Sequence, residues 1–296
     1  METPSGPPAE EDASPERFDP AFRHQIWYEH WHRYHWASGL ANGKVVADVA
    51  CGEGYGTDLL ARGAVRTLGI DADQGALASA RRKYGREGVE FIRGDARSLP
   101  LRDDSVDLLV SFETLEHLAE QERMVAEIAR VVRSDGLAII STPDRDLYSP
   151  DGVRHNEHHV RELSAREFSE LLGGFFPSVR TFGQQFQFLS VIDEIQARGP
   201  ASAEVTYADS SGARTVERGP GDHVYLIAVC GRSEEVTRNV SLPGWHAFND
   251  AGGELLDHYE AQIRRLQDVD VVLEQTRRQL RESQAAAAHL AARLGY

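Results

Sequence analysis

Residues Val45–Thr57 read VVADVACGEGYGT. A short run of β-branched and apolar residues ends at Asp48, glycines follow at Gly52, Gly54 and Gly56, and a helix is predicted to start near Thr57 or Asp58. This is the pattern of a buried parallel strand, a tight turn and a helix N-terminus directed at a ligand. Glycine at alternate positions lets backbone amides approach a bulky group with no Cβ between them. The dinucleotide fingerprint requires G-x-G-x-x-G, whereas the frame from Gly52, G-E-G-Y-G-T, brings the third glycine one residue early. No Lys-Ser or Lys-Thr follows, which excludes a P-loop.

Outward from this turn the chain alternates strand and helix patterns. Arg66–Asp73 reads as a strand ending in acid, Gln74–Tyr84 as a helix with alanines on one face, and Val89–Asp95 and Asp107–Phe112 as further strands. Leu115–Val132 is predicted as one long amphipathic helix, and Gly136–Thr142 as the next strand, entered through the Asp135-Gly136 turn. Ser164 and Glu167 form a capping box for a helix to Leu172. Thr181–Phe188 and His223–Gly231 complete the sheet, and Ala197–Gly221 between them reads as a loop excursion. Ahead of the glycine turn, Phe22–Leu40 is predicted as a packing helix that buries Ile26, Trp27, Trp31 and Tyr34; its four histidines specify no ligand set. Alternation of this kind implies an α/β, Rossmann-like fold with a seven-stranded, mostly parallel sheet and helices on both faces. Ligands then bind beyond the carboxyl ends of the strands.

Composition bounds the rest. The 296 residues carry a net charge of −15 and no basic run, so a nucleic-acid partner is not expected. Cys51 and Cys230 read as reduced, buried thiols. No apolar stretch has the length of a membrane span, and the acidic, proline-rich start lacks a signal peptide's apolar core, so a cytoplasmic protein is expected. The expected division is a disordered tail over 1–20, a catalytic domain over 21–232, a linker over 233–253 and a helical, coiled-coil segment over 254–294. In that last segment Tyr259, Leu266, Leu273, Leu280, Ala287 and Leu294 form one apolar heptad column. The companion column Leu256, Ile263, Asp270, Arg277, Gln284 and Ala291 fades to polar. Homo-oligomerisation or a partner protein is expected there, in an order the sequence does not give; the other reading is a helix folded back on the body.

The acid-ended strand and its G-x-G turn resemble motif I of class I S-adenosylmethionine-dependent methyltransferases, with Asp71 and Asp95 at the ends of the next strands in the expected order. The resemblance implies S-adenosyl-L-methionine as cofactor, with Gly52 and Gly54 at its amino-acid end. It places Asp71 with Ala72 on the ribose, Asp95 with the Ala96 amide on the adenine, and Phe112 on the same cofactor. Glu29–Ala37, E-H-x-x-R-Y-x-x-A, is similar to the N-terminal segment of bacterial methyltransferases of surface-glycan synthesis, where Arg33 would fork onto the cofactor's carboxylate. The chain lacks the proline-proline-aromatic tetrapeptide of nucleic-acid amino-methylases and carries E-T-L-E-H-L from Glu113 instead, which favours an oxygen or phosphate acceptor. The absence of the kinase domain borne by phosphate-methylating relatives narrows this to a sugar hydroxyl. His117 is the first candidate general base. The E-x-x-E-H spacing of Glu113, Glu116 and His117 also resembles a metal-ligand cluster of ubiquinone-pathway O-methyltransferases, which leaves the metal unassigned. Asn156, His159, Val160, Arg161 and Glu162 match N-P-F-H-V-R-E of glycan-associated enzymes, with Glu157 and His158 departing from it, and give His159 as the second catalytic candidate. The rival readings are an O- or N-methyltransferase of a small secondary metabolite, and a scaffold with a vestigial cofactor pocket.

Overall fold

The computed structural model describes residues 25–150, 156–187, 206–209, 212–215, 223–243, 246–250 and 252–294; the acidic tail expected over 1–20 lies outside them. In chain order the elements are α1 (Gln25–Ser38), β1 (Val45–Val49), α2 (Tyr55–Leu60), β2 (Arg66–Asp71), α3 (Gln74–Tyr84), β3 (Val89–Arg93) and β4 (Val106–Ser111). A 3-10 turn at Leu115–His117 precedes α4 (Gln121–Val131), β5 (Val132–Pro143), α5 (Arg145–Tyr148), α6 (Ala165–Gly173) and β6 (Ser178–Gln184). Then come β7 (Thr206–Asp209), β8 (Gly212–Thr215), β9 (Tyr225–Gly231), α7 (Glu234–Arg238) and α8 (Glu254–Leu294). Seven strands form one sheet in the order β3-β2-β1-β4-β5-β9-β6. The pairs β1–β2, β2–β3, β1–β4 and β4–β5 are parallel, and β9 runs antiparallel to both β5 and β6.

The strands are apolar on both sides because both faces are covered. Side chains alternate across the sheet. Ala47, Leu109, Ala138, Ile140 and Ala228 join one core with Met124 and Ile128 of α4 and Phe168 and Leu172 of α6. Val46, Leu108, Val110, Leu137, Ile139 and Val229 join the other, with Tyr34 and Ala37 of α1 and Leu59 and Leu60 of α2. The Ser164–Glu167 capping box starts α6 as the sequence implies.

Four expectations need correction. Leu115–Val132 is not one helix: Leu118 is extended, and the side-chain Nε2 of Gln121 donates to the carbonyls of Leu115 and Arg161. The carbonyl of Glu116 meanwhile accepts from the amides of Val160 and Arg161, so tertiary bonds overrule the continuous apolar period. Ile26 is 53% exposed rather than buried; Tyr28, Glu29, Arg33, Tyr34 and Ala37 take the inward face of α1. The excursion over Ala197–Gly221 contains the antiparallel pair β7–β8. Within 233–253, read as a linker, Ser233 caps α7 and the buried Thr237 bonds Ser178 of β6.

The chain divides into two compact units, one holding Glu29–His246 and the other Phe22–Tyr28 with Ala247–Tyr296. In the second unit α8 runs 41 residues, and Tyr259 donates to Gln25. Among the described residues no helix is long and apolar enough to cross a membrane.

Candidate active site

The sheet order reverses between β1 and β4, and the residues with unusual chemistry collect at the carboxyl ends of these strands and of β2 and β5. At the end of β1, Asp48 is fully buried and accepts from the hydroxyls of Tyr34 (3.0 Å) and Thr57 (2.6 Å). Burial pushes its carboxyl up to about 7, against the pull of those two hydrogen bonds. Asp48 thus ties β1, α1 and α2 together beneath the turn.

The three glycines of the turn have different tasks. Gly52 has φ +51, and a Cβ there would meet open space. Gly54, at φ +82, is walled by Ala80 and Phe91, each 2.8 Å from where a Cβ would lie, and a Cβ on Gly56 would overlap the Tyr34 ring. Only Gly52 leaves room for a ligand; the other two permit packing. The amide of Gly52 donates to one oxygen of Asp71 and that of Asp73 to the other, both at 2.8 Å. Asp71 therefore shapes the turn, and each oxygen retains a second lone pair for a ribose hydroxyl. Ala72 beside it is exposed.

Asp95 stands differently from the expectation. Arg97 holds both its oxygens, at 3.0 and 2.7 Å, and draws its carboxyl down to about 2, so a contact to an adenine amine competes with this pair. Ala96 is half-buried against the core. The ring of Phe112 is 5% exposed and meets Tyr34 edge-on at 4.9 Å, so its surface is taken by the aromatic cluster.

Arg33 is 1% exposed. Its Nη1 donates to Gln184 at 2.7 Å, its guanidinium carbon lies 4.9 Å from the centre of the Tyr225 ring, and Nη2 is 3.9 Å from Glu113. Neither Nε nor Nη2 has a hydrogen-bond partner among the described residues. Two orphaned guanidinium donors in a buried site suit a carboxylate, which fits the amino-acid end of S-adenosylmethionine.

Beyond β4 the backbone of Glu113 is left-handed at φ 50, and its carboxylate accepts from Ser141 of β5 at 2.6 Å. Glu116 is 1% exposed and accepts from Thr142; burial holds its carboxyl well above the usual range. His117 Nδ1 lies 3.1 Å from the His158 carbonyl, which fixes the proton on Nδ1. His159 Nδ1 lies 2.6 Å from Glu162, and the pair is only 8% and 9% exposed. Asn156 accepts from the His158 amide through its oxygen, so its amide nitrogen is the group facing His159 Nε2 at 3.0 Å. That network puts the His159 proton on Nδ1 and a lone pair on Nε2. The two imidazoles meet edge-on at 5.0 Å, and Tyr148 lies 5.6 Å from His159 and 6.1 Å from Tyr225. Glu116, His117 and His159 offer ligand atoms within 4.8 Å of one another. Glu113, turned toward Ser141 and Arg33, is not in that cluster.

The structure thus brings Arg33, Glu113, Glu116, His117 and His159 together with Tyr148, Tyr225 and Gln184, three residues the sequence reading did not single out. Tyr225 opens β9, whose antiparallel course sets it opposite Pro143 at the carboxyl end of β5.

Residues 47–140 match the family described as Methyltransferase domain. The sheet order above is Rossmann-like, and the matched residues, which carry the glycine turn, are similar to a methyltransferase domain whose relatives are named for dependence on S-adenosylmethionine. A probable S-adenosylmethionine-dependent methyltransferase of Mycolicibacterium smegmatis is 41% identical over 152 residues, covering 51% of this chain and 56% of that protein. A phthiotriol/phenolphthiotriol dimycocerosates methyltransferase of Mycobacterium ulcerans is 31% identical over 139 residues, 43% of this chain and 48% of that protein. The chain thus spans about half the length of these relatives. Among solved structures, a possible histamine N-methyltransferase of Thermotoga maritima aligns with a TM-score of 0.47 and 19% identity, over 70% of this chain and 95% of that one.

Proposed function

We propose that the chain transfers a methyl group to a sugar hydroxyl of a glycan or glycan precursor in polysaccharide biosynthesis, with His159 as general base. The observation that carries this reading is the buried His159–Glu162 pair at the carboxyl end of the sheet. Glu162 holds the Nδ1 proton and stabilises the imidazolium that forms when Nε2 takes a proton. The acceptor hydroxyl replaces the Asn156 amide as the partner of Nε2, and its oxygen forms the new bond to carbon as its proton passes to His159. When bound, the cofactor supplies a methyl on a sulfonium, whose carbon–sulfur bond breaks as the carbon–oxygen bond forms. Tyr148 and Tyr225 give a sugar ring an apolar surface between His159 and Arg33. A relative named for a triol supports hydroxyl as the acceptor class. α8 is read as the coiled-coil segment through which copies or partners associate.

Transfer of labelled methyl from the cofactor to fractionated cell glycans tests the reading. Label in a small-metabolite fraction instead selects the secondary-metabolite alternative, and no S-adenosylhomocysteine binding at millimolar ligand selects the vestigial scaffold. A second reading is favoured by the Glu116–His117–His159 cluster, whose Nδ1 atoms are pinned as metal-bound histidines usually are. Glu116, His117 and His159 would hold a divalent cation there, which would lower the pKa of the hydroxyl, and activity should then disappear with chelator and return with added cation. Under the general-base reading chelator changes nothing.

A further inference from the structure

Among the described side chains of α8, the exposed large apolar ones are Leu256, Ile263, Leu266, Val269, Val272, Leu273, Leu280 and Leu290. With Leu266 as position a of a heptad, these fall at a, d, e and g, and Val271, at f, is the one large aliphatic residue of the helix off those positions. Two columns flank Tyr259, Leu266, Leu273 and Leu280: the one at Ile263 brings in the charges of Asp270 and Arg277, whereas the one on the other side, Leu255, Gln262, Val269, Thr276, Ser283 and Leu290, holds no charged residue. Thr276 returns its hydroxyl to the Val272 carbonyl at 2.8 Å, which removes an unsatisfied donor from that seam. The ion pairs within the helix, Arg264–Glu260, Arg277–Glu274 and Arg278–Glu282, use positions b, c and f apart from Arg277. They lie away from the a/d seam. Leu255 is buried and Tyr259 bonds Gln25, so the open seam starts at Leu266.

Beside the seam, Arg265 falls at g and Asp270 at the following e. Neither has an ion-pair partner among the described residues, although three other arginines on the same helix do. Opposite charges at g and the next e face each other across a parallel, in-register coiled coil, and the remaining g–e pairs, Val272 with Arg277 and Gln279 with Gln284, contain no like charges. We propose that α8 associates in parallel and in register with α8 of another copy of this chain, through Leu266–Leu290, with Arg265 of each copy paired to Asp270 of the next. This deepens the partner reading above and is independent of the methyl-transfer reading.

Full-length chain in light scattering should give a multiple of 32.8 kDa. Charge reversal in R265E or D270K should weaken assembly on the order of tenfold, since both an attraction is lost and a repulsion gained. The double variant R265E/D270K should recover it. Leu273→Cys should form an inter-chain disulfide on mild oxidation, because identical a positions face each other only in the parallel arrangement; Cys51 and Cys230 are buried and contribute little background. S-adenosylhomocysteine binding should be the same in every variant, which separates this test from the catalytic reading. A monomer at all concentrations overturns the proposal, as would an assembly in which the double variant stays weak or Leu273→Cys fails to cross-link.

Discussion

The turn after β1 makes a differential prediction, because two of its glycines are left-handed for different reasons. Alanine at Gly54 meets two costs. The left-handed backbone costs an L-residue about 1–2 kcal/mol. A Cβ 2.8 Å from both Ala80 Cβ and Phe91 forces a packed wall to move, which costs about 1–3 kcal/mol more. The sum, about 2–5 kcal/mol, lowers the melting temperature of a domain of this size by on the order of 10 °C. Alanine at Gly52 meets only the backbone cost, about 1–2 kcal/mol, because its Cβ would have no neighbour within 4 Å. The space it enters is the space assigned to the cofactor. Intrusion of one methyl group there should weaken S-adenosylhomocysteine binding by roughly tenfold to a hundredfold.

Thermal melting and titration calorimetry on the two variants read these quantities separately. G54A should melt well below G52A, while G52A should lose affinity without a comparable loss of stability. If G52A binds the ligand as tightly as the parent, the open face of Gly52 is not the cofactor cradle. If G54A is as stable as G52A, the packing argument from Ala80 and Phe91 fails.

Three other outcomes follow from the site. Arg33→Met should weaken S-adenosylhomocysteine binding by roughly ten- to a hundredfold through loss of a charge-assisted bond, whereas it should leave the affinity of decarboxylated ligand much less changed; equal losses for both ligands would place Arg33 away from the carboxylate. His159→Ala should lower turnover by about 10²–10⁴-fold at unchanged cofactor affinity, and Glu162→Gln should lower it less while shifting the pH profile of kcat; parallel losses in stability and binding would mark a structural pair. Asp48 makes stability depend on pH. Its carboxyl ionises near 3.8 when unfolded but near 7 when folded, so stability falls as pH rises through that window and is level above it. The loss is about 4 kcal/mol at most, and Asp48→Asn should remove it from the pH dependence of melting; an unchanged pH slope in that variant would show that the carboxyl titrates alike in the folded and unfolded chain.

The sheet was legible because its strands are short apolar runs closed by acid or glycine, and because parallel strands covered on both faces need little alternation to be found. The glycine turn was legible as a ligand turn, yet its sequence could not say which glycine faces the ligand, since that depends on Phe91 and Tyr34 arriving from β3 and α1. The long helix expected over Leu115–Val132 failed for a related reason: apolar spacing continues across the break, and the bonds that extend Leu118 come from residues about 40 positions away. Arg33 was placed by resemblance alone. Its actual setting, between Gln184, Tyr225 and Glu113, is assembled from four separate segments. On α8 the leucine column was legible from its seven-residue spacing, and 254–294 is one helix as expected.

The strain in the site has a pattern. Ala50 and Glu113 follow the neighbouring strands β1 and β4, and both are left-handed without being glycine, at φ 60 and φ 50. Such a backbone costs on the order of 1–3 kcal/mol per residue and persists only where surrounding bonds determine it. Around Glu113 those bonds are visible: its amide lies 3.2 Å from the Ser141 hydroxyl, and its carboxylate accepts from that same hydroxyl at 2.6 Å. The two kinks turn the chain off the sheet on either side of the point where the strand order reverses, which is what opens a crevice there. The kink at Glu113 does something more. It swings one carboxylate toward Arg33 and leaves Glu116 with His117 and His159, so that a single E-x-x-E-H spacing is split between two clusters, one beside the buried arginine and one beside the two imidazoles.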